Sequence, residues 1–219
     1  MYKRQYQDSF TYSKAELLGQ IDPSEFPGFL EVPPHLCSRP GMYLRTEVLE
    51  AFLVLEKNAR DEGVELKVIS ATRSFNHQKR IWDGKWVSAK YMGWGEIEKA
   101  KDILTYSSMP GTSRHHWGTD LDMNSLENEY FNSAEGSKVY DFLERCGNEL
   151  GFAQVYTNKS HGRTGYEDEK WHWSYMPVSS AMLEEYNQLI SSSDIVGFDG
   201  FTTSDTINII NDYVNGIAK

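Results

Sequence analysis

Cysteine is nearly missing from this chain. Its 219 residues include only Cys37 and Cys146, whose spacing is unlike any metal-ligand pair, so they form one bridge or none and neither demand nor exclude an oxidising compartment. Positive charge is scarce as well: 22 Lys and Arg stand against 32 Asp and Glu, a net charge of −10. No basic cluster interrupts that acidic background, so binding to a phosphate backbone has no electrostatic footprint and nucleic acid is not an expected partner. Long apolar runs are absent, which leaves no transmembrane segment to propose. The opening Met1-Tyr2-Lys3-Arg4-Gln5-Tyr6 lacks the basic-then-apolar pattern of a secretory leader. No internal repeat or low-complexity tract is visible.

What is present is ordinary for a folded protein: 39% hydrophobic and 13% aromatic residues, in a chain long enough for one large domain with appendages. Ser13-Lys14-Ala15-Glu16 is a capping box, and Gly19 is placed to end the short helix it starts. Residues 21–42, with Pro23, Pro27, Pro33, Pro34 and Pro40, read as an extended wrapping segment. Val48, Phe52, Leu55 and Ala59 form one face of a helix from Thr46 to Glu62, closed by Gly63. Leu66–Ala71 reads as a strand that delivers Thr72-Arg73-Ser74 to its end.

Residues 75–92 are expected to be helical, with Ile81, Trp82, Trp86 and Ala89 inward, before Gly93-Trp94-Gly95 breaks the run. A helix with Ile97, Ala100, Ile103 and Leu104 inward follows. Gly118–Met123 reads as a central strand and 133–150 as a helix on Val139, Phe142, Cys146 and Leu150, stopped by Gly151. Phe152–Tyr156 and Lys170–Tyr175 read as strands around a polar loop. Helical patterns at 179–191 and 204–217 end the chain, the second on Ile207, Ile210, Val214 and Ile217. Strands without regular βαβ alternation predict an α+β fold: a small central antiparallel sheet flanked by helices, with a C-terminal helical appendage. The division is 1–42 for the N-terminal helix and wrapping segment, 43–178 for the central domain and 179–219 for the appendage.

The chemistry concentrates in Thr112-Ser113-Arg114-His115-His116-Trp117-Gly118-Thr119-Asp120-Leu121-Asp122 and in Glu169-Lys170-Trp171-His172-Trp173. Two imidazoles, a carboxylate seven residues beyond the first and another three residues before the second are the parts of a catalytic zinc centre. Zn²⁺ accepts nitrogen and oxygen ligands in a tetrahedron and keeps one corner for water in a catalytic site, so three protein ligands suffice. Spacing alone leaves open whether His115 or His116 turns inward. Strict alternation would put Glu169 and His172 on opposite faces of a strand, so Glu169 must sit in the loop before regular pairing begins.

Ser113-x-His115-x-x-Gly118-x-Asp120-x-Asp122 resembles the motif of VanY-type D-alanyl-D-alanine carboxypeptidases, within the wider group of lysostaphin-type and hedgehog-type zinc folds. Glu169-x-Trp171-His172 resembles that family's E-x-W-H. The resemblance, over roughly residues 40–176, implies that His115, Asp122 and His172 bind one Zn²⁺ per chain and that Glu169 is the catalytic base. It implies that Arg73 contacts the substrate carboxylate or the developing oxyanion, a role its bidentate guanidinium suits. Gln78 and Ser113 are implied substrate contacts, although Ser113 equally fits a turn cap. Asp120 departs from the family's small residue and can be a partner of a ligand, an alternative ligand or a structural acid. His35, His77 and His161 are read as structural or surface residues.

The implied activity is zinc-dependent removal of C-terminal D-alanine from peptidoglycan stem peptides or muropeptides in the cell envelope. Peptidoglycan endopeptidase, D,D-dipeptidase and L,D-carboxypeptidase activities are the alternatives on the same fold, with a non-catalytic zinc-binding module behind them.

Overall fold

A computed structural model describes residues 11–218, apart from the side chain of His161. The expected capping box starts helix α1, Lys14–Leu17: the Ser13 hydroxyl accepts from the Glu16 N–H, and the Glu16 carboxylate accepts from the Ser13 N–H. Within the proline-containing segment, expected to be extended, Phe29–Glu31 forms strand β1 and pairs antiparallel with β2, Tyr43–Arg45. Val32, Leu36, Met42 and Leu44 are buried along this hairpin. Helix α2, Thr46–Asp61, buries Val48, Phe52, Leu55 and Ala59, the four residues whose period announced it.

Strand β3, Val68–Ser70, leads to helix α3, Phe75–Trp86, whose first turn is capped by the Ser74 hydroxyl. The helix stops short of residue 92. Ser88 caps a separate turn, Ala89–Tyr91, so Ala89 is exposed rather than inward. Helix α4, Glu96–Ile103, buries Ala100 and Ile103 and leaves Ile97 on the surface. Strand β4 is Asp120–Met123, and helix α5, Ala134–Phe142, is followed by a widened π-type turn, Leu143–Gly147, instead of continuing regularly to 150. Strands β5, Phe152–Gln154, and β6, His172–Tyr175, precede helix α6, Met176–Leu189. The pattern at 204–217 yields turns and a single π-type turn, Ile210–Val214, because Asn208 at φ 58° interrupts the right-handed run.

The fold is α+β, with the site-bearing sheet ordered β3-β4-β6-β5 and antiparallel throughout. Register sets Asp122 opposite His172 and Asp120 opposite Ser174. Period-two alternation then gathers Asp120, Asp122, His172 and Ser174 on one face, while Leu121, Met123 and Trp173 face a core shared with α2 and α5. A second core takes Leu17 and Leu18 from α1, Trp82 and Trp86 from α3, Tyr156 and Tyr166, Met182 and Tyr186 from α6, and Ile207, Ile209 and Val214 from the chain's end. The polar face of the sheet lies between the two cores. Cys37 and Cys146 are free thiols. No described helix is long and apolar enough to cross a membrane.

Candidate metal centre

His115 sits in a tight helical turn, Arg114–Trp117, directly before β4. Gly118 ends that turn at φ 74°, a left-handed conformation that glycine adopts without a Cβ penalty. The turn is held from outside the motif: Arg45 Nε donates to the Trp117 carbonyl at 2.7 Å, and the Arg45 N–H donates to the Gly118 carbonyl at 3.1 Å.

The structure brings the three expected ligands together. The donor atoms of His115, Asp122 and His172 all lie within 4.8 Å of one another, and all three residues are buried. Asp122 Oδ1 is 3.3 Å from His115 Nε2 and 3.1 Å from His172 Nδ1. Ligands about 2.0–2.1 Å from a tetrahedral ion are roughly 3.3 Å apart, so the donor set suits Zn²⁺ and the two distances to Asp122 match that spacing. Nδ1 of His115 is 2.9 Å from the Ala71 carbonyl, which requires the hydrogen there and leaves Nε2 with a free lone pair. Burial, reinforced by Arg73, lowers the His115 pKa and favours the neutral, ligating form. Burial raises the Asp122 carboxyl, but His115 and His172 outweigh it and hold it well below the usual carboxylate range.

His116, the competing imidazole, turns away. Its Nδ1 lies 2.6 Å from the Arg73 carbonyl and its Nε2 accepts from the Gly111 N–H at 3.0 Å, so both nitrogens are used. Burial pushes its pKa down to about 3, and a Cβ on Gly19 would come within 2.3 Å of its ring. His116 is a brace between the Arg73 segment and the His motif. Arg73 is clamped from the other side too, its N–H donating to the His115 carbonyl at 3.0 Å.

Glu169 lies in the turn before β6, where its carbonyl accepts from the His172 N–H at 3.2 Å. That turn brings the two side chains to one side, with Glu169 Oε2 3.8 Å from His172 Nδ1. Burial pushes the Glu169 pKa up to about 8; His172 pulls it down and Asp122 adds to the rise.

These groups share a cleft of about 480 Å³, lined by Arg73, Ser113, His115, Asp122, Glu169 and His172 together with Lys85, Tyr106, Tyr156 and Tyr166. That size suits a small peptide end. Arg73 Nε, Ser113 Oγ and the Tyr166 hydroxyl are buried in it without a hydrogen-bond partner in good geometry. Orphaned donors of this kind mark places where a ligand supplies the missing contact. Ser113 makes no capping bond to its turn. Gln78 does not join the cleft lining: it is 1% exposed and its amide donates to the Ser108 carbonyl at 2.8 Å, bracing the cleft wall from behind. Of the bulky lining groups, Tyr156 packs on His172 in a tilted arrangement with centroids 4.6 Å apart, and Tyr166 packs against Tyr156 at 4.9 Å. No sequence motif marks either tyrosine.

The family profile for VanY D-alanyl-D-alanine carboxypeptidases matches residues 41–178. YodJ of Bacillus subtilis, a carboxypeptidase by name, is 34% identical over 149 residues, covering 67% of this chain and 51% of that protein. The chain thus spans about half the length of this relative. VanYB in complex with D-alanine-D-alanine superposes with a TM-score of 0.52 at 25% identity, over 69% of this chain and 86% of that one. A mutant of the vancomycin-resistance D,D-pentapeptidase VanY in complex with Zn(II) gives a TM-score of 0.53 at 25% identity, over 72% and 85% of the two chains.

Proposed function

Since the chain belongs to the VanY family of D-alanyl-D-alanine carboxypeptidases, we propose that its cleft removes the C-terminal D-alanine from peptidoglycan stem peptides in the cell envelope. The observation that carries this reading is the convergence, on one cleft, of His115, Asp122 and His172 with Glu169 and Arg73. A Zn²⁺ held by the first three would supply Lewis acidity, bringing a water's pKa to about 7 and polarising the scissile carbonyl.

Glu169 is the general base. It takes the proton of the attacking water and returns it to the leaving amine, a task suited to a carboxyl raised toward neutrality. Arg73 pairs with the free C-terminal carboxylate and Ser113 donates its hydroxyl beside it, a reading supported by the unpartnered Arg73 Nε and Ser113 Oγ in the cleft. Tyr156 and Tyr166 keep bulk water from the reacting end. VanYB, a structural relative, was solved with D-alanine-D-alanine, and a VanY structure holds Zn(II); both support the assignment of substrate and metal.

The test uses one pentapeptide ending in D-alanine, with a free or an amidated C-terminus, and reads products by mass. Wild type should hold close to one zinc and cleave the free acid, and Arg73→Ala should lose about 2–4 kcal/mol in kcat/KM, since hydrogen bonds to charged groups contribute about 1.5–3 kcal/mol each. Rapid cleavage of the amidated peptide would point to an endopeptidase and reassign Arg73 to the oxyanion.

A further inference from the structure

Asp120 occupies the position where this chain departs from the family's small residue, and it is 0% exposed. A buried carboxylate persists only where its charge is answered. Arg114 Nε donates to its Oδ1 at 3.0 Å, the Thr119 hydroxyl donates to its Oδ2, and Nε2 of His172 lies 2.9 Å from Oδ1. Arg114 is itself held, with Nη2 donating to Ser174 Oγ at 2.6 Å and its guanidinium over the Trp117 ring at 4.7 Å.

We propose, resting on the zinc reading above, that Asp120 is a positioning residue that takes the Nε2 hydrogen of His172 and thereby commits Nδ1 to the metal. An ionised carboxylate only accepts, so the nitrogen it pairs with carries hydrogen. Nδ1 faces Asp122 and Glu169, so its hydrogen is the one a metal held together with Asp122 would displace, leaving the Nε2 hydrogen on the side of Asp120. His115 is oriented differently, by the Ala71 carbonyl, and so presents Nε2. One imidazole of the centre is thus backed by a neutral acceptor and the other by a charge. A carboxylate behind an imidazole fixes the ring and raises its basicity as a ligand. Arg114 belongs to the same device, because without it the carboxylate would lack its buried counter-ion. A small residue at position 120 would leave both Arg114 and His172 Nε2 without this acceptor.

The experiment measures zinc affinity by chelator competition on the full chain, with circular dichroism of each chelated variant as the check on folding. Asp120→Asn, close in shape, should weaken zinc binding about 10–100-fold, while Asp122→Ala should abolish stoichiometric binding. Unchanged affinity in Asp120→Asn refutes the role. Loss as complete as in Asp122→Ala makes Asp120 a ligand and equally overturns it. If Asp120→Asn does not fold, ¹⁵N NMR of zinc-loaded wild type decides: His172 should carry hydrogen on Nε2 and bind through Nδ1, and the reverse arrangement overturns the proposal. Wild type that holds no zinc would remove the centre itself, a separate result read from metal content before any variant is compared.

Discussion

Glu169 shows at a single residue how burial prepares chemistry. A carboxyl 6% exposed is disfavoured as an anion, and burial raises it from the ordinary 4.5 to about 8. In the proposed mechanism a bound dication would restore the anion, making Glu169 a usable base where the metal sits. Glu169→Gln should therefore keep fold and zinc yet lose roughly 10²–10⁴ in turnover; full turnover with zinc retained would remove it from the mechanism. A pH effect on stability follows as well. Between pH 4.5 and 8 folded Glu169 keeps a proton that the unfolded chain has released, so its contribution to stability is complete below 4.5 and lost as pH rises through 8. For His172, burial opposes the charge, but its hydrogen bonds to the Asp120 and Asp122 carboxylates prevail and raise it to about 9, so its contribution is likewise lost above neutrality. The unfolding temperature of EDTA-treated protein should fall from pH 7 to pH 9, and less steeply in Glu169→Gln. Equal slopes in the two proteins would contradict the burial argument.

Among the elements, the turn Arg114–Trp117 and the hairpin of β1 and β2 act together. Gly118 has a positive φ, and a Cβ there would come within 2.4 Å of the Phe29 ring and 3.1 Å of Arg45. The hairpin thus seats directly on the glycine that ends the His115 turn. Gly118→Ala combines left-handed strain with this clash and should cost about 1–3 kcal/mol, lowering the unfolding temperature by roughly 2–4 °C per kcal/mol in a chain of this size. Zinc affinity should fall with it, because the Arg45 contacts that place His115 must shift. A Gly118→Ala protein that unfolds at the wild-type temperature would show that the hairpin does not set the turn.

For the whole molecule, the second core ties the chain's end to the site. Thr164 donates to the Asp212 carbonyl at 2.8 Å, Arg163 to that of Gly216 at 3.1 Å, and Tyr213 packs on Tyr166 with centroids 5.2 Å apart. Ile209, 1% exposed, is buried in the same cluster. Ile209→Ala should cost about 2–5 kcal/mol, seen in calorimetry as one transition moved to lower temperature. A second, separate transition would mean that residues 204–218 unfold on their own.

Much of this organisation was legible in the chain because it is local. Period and caps placed α1 and α2, Gly151 marked a turn end, and two motifs named His115, Asp122, Glu169 and His172 as candidates, whereas Gly118, read as the start of a strand, ends the turn before β4. Composition misled at 87–92 and 204–217, which carry helical residues but are interrupted from within, by the Ser88 cap and by Asn208 at positive φ. Spacing left His115 and His116 open and the motif favoured His115; the tertiary structure supplies the physical reason, since the Ala71 carbonyl leaves His115 Nε2 free while the Arg73 carbonyl and the Gly111 N–H engage both nitrogens of His116. It also withdrew Gln78 from the cleft, brought in Tyr156 and Tyr166, and set Asp120 against His172. The physical reason is register and packing: whether a carboxylate at 120 meets an imidazole at 172 depends on how β4 pairs with β6, and no window of sequence contains both strands.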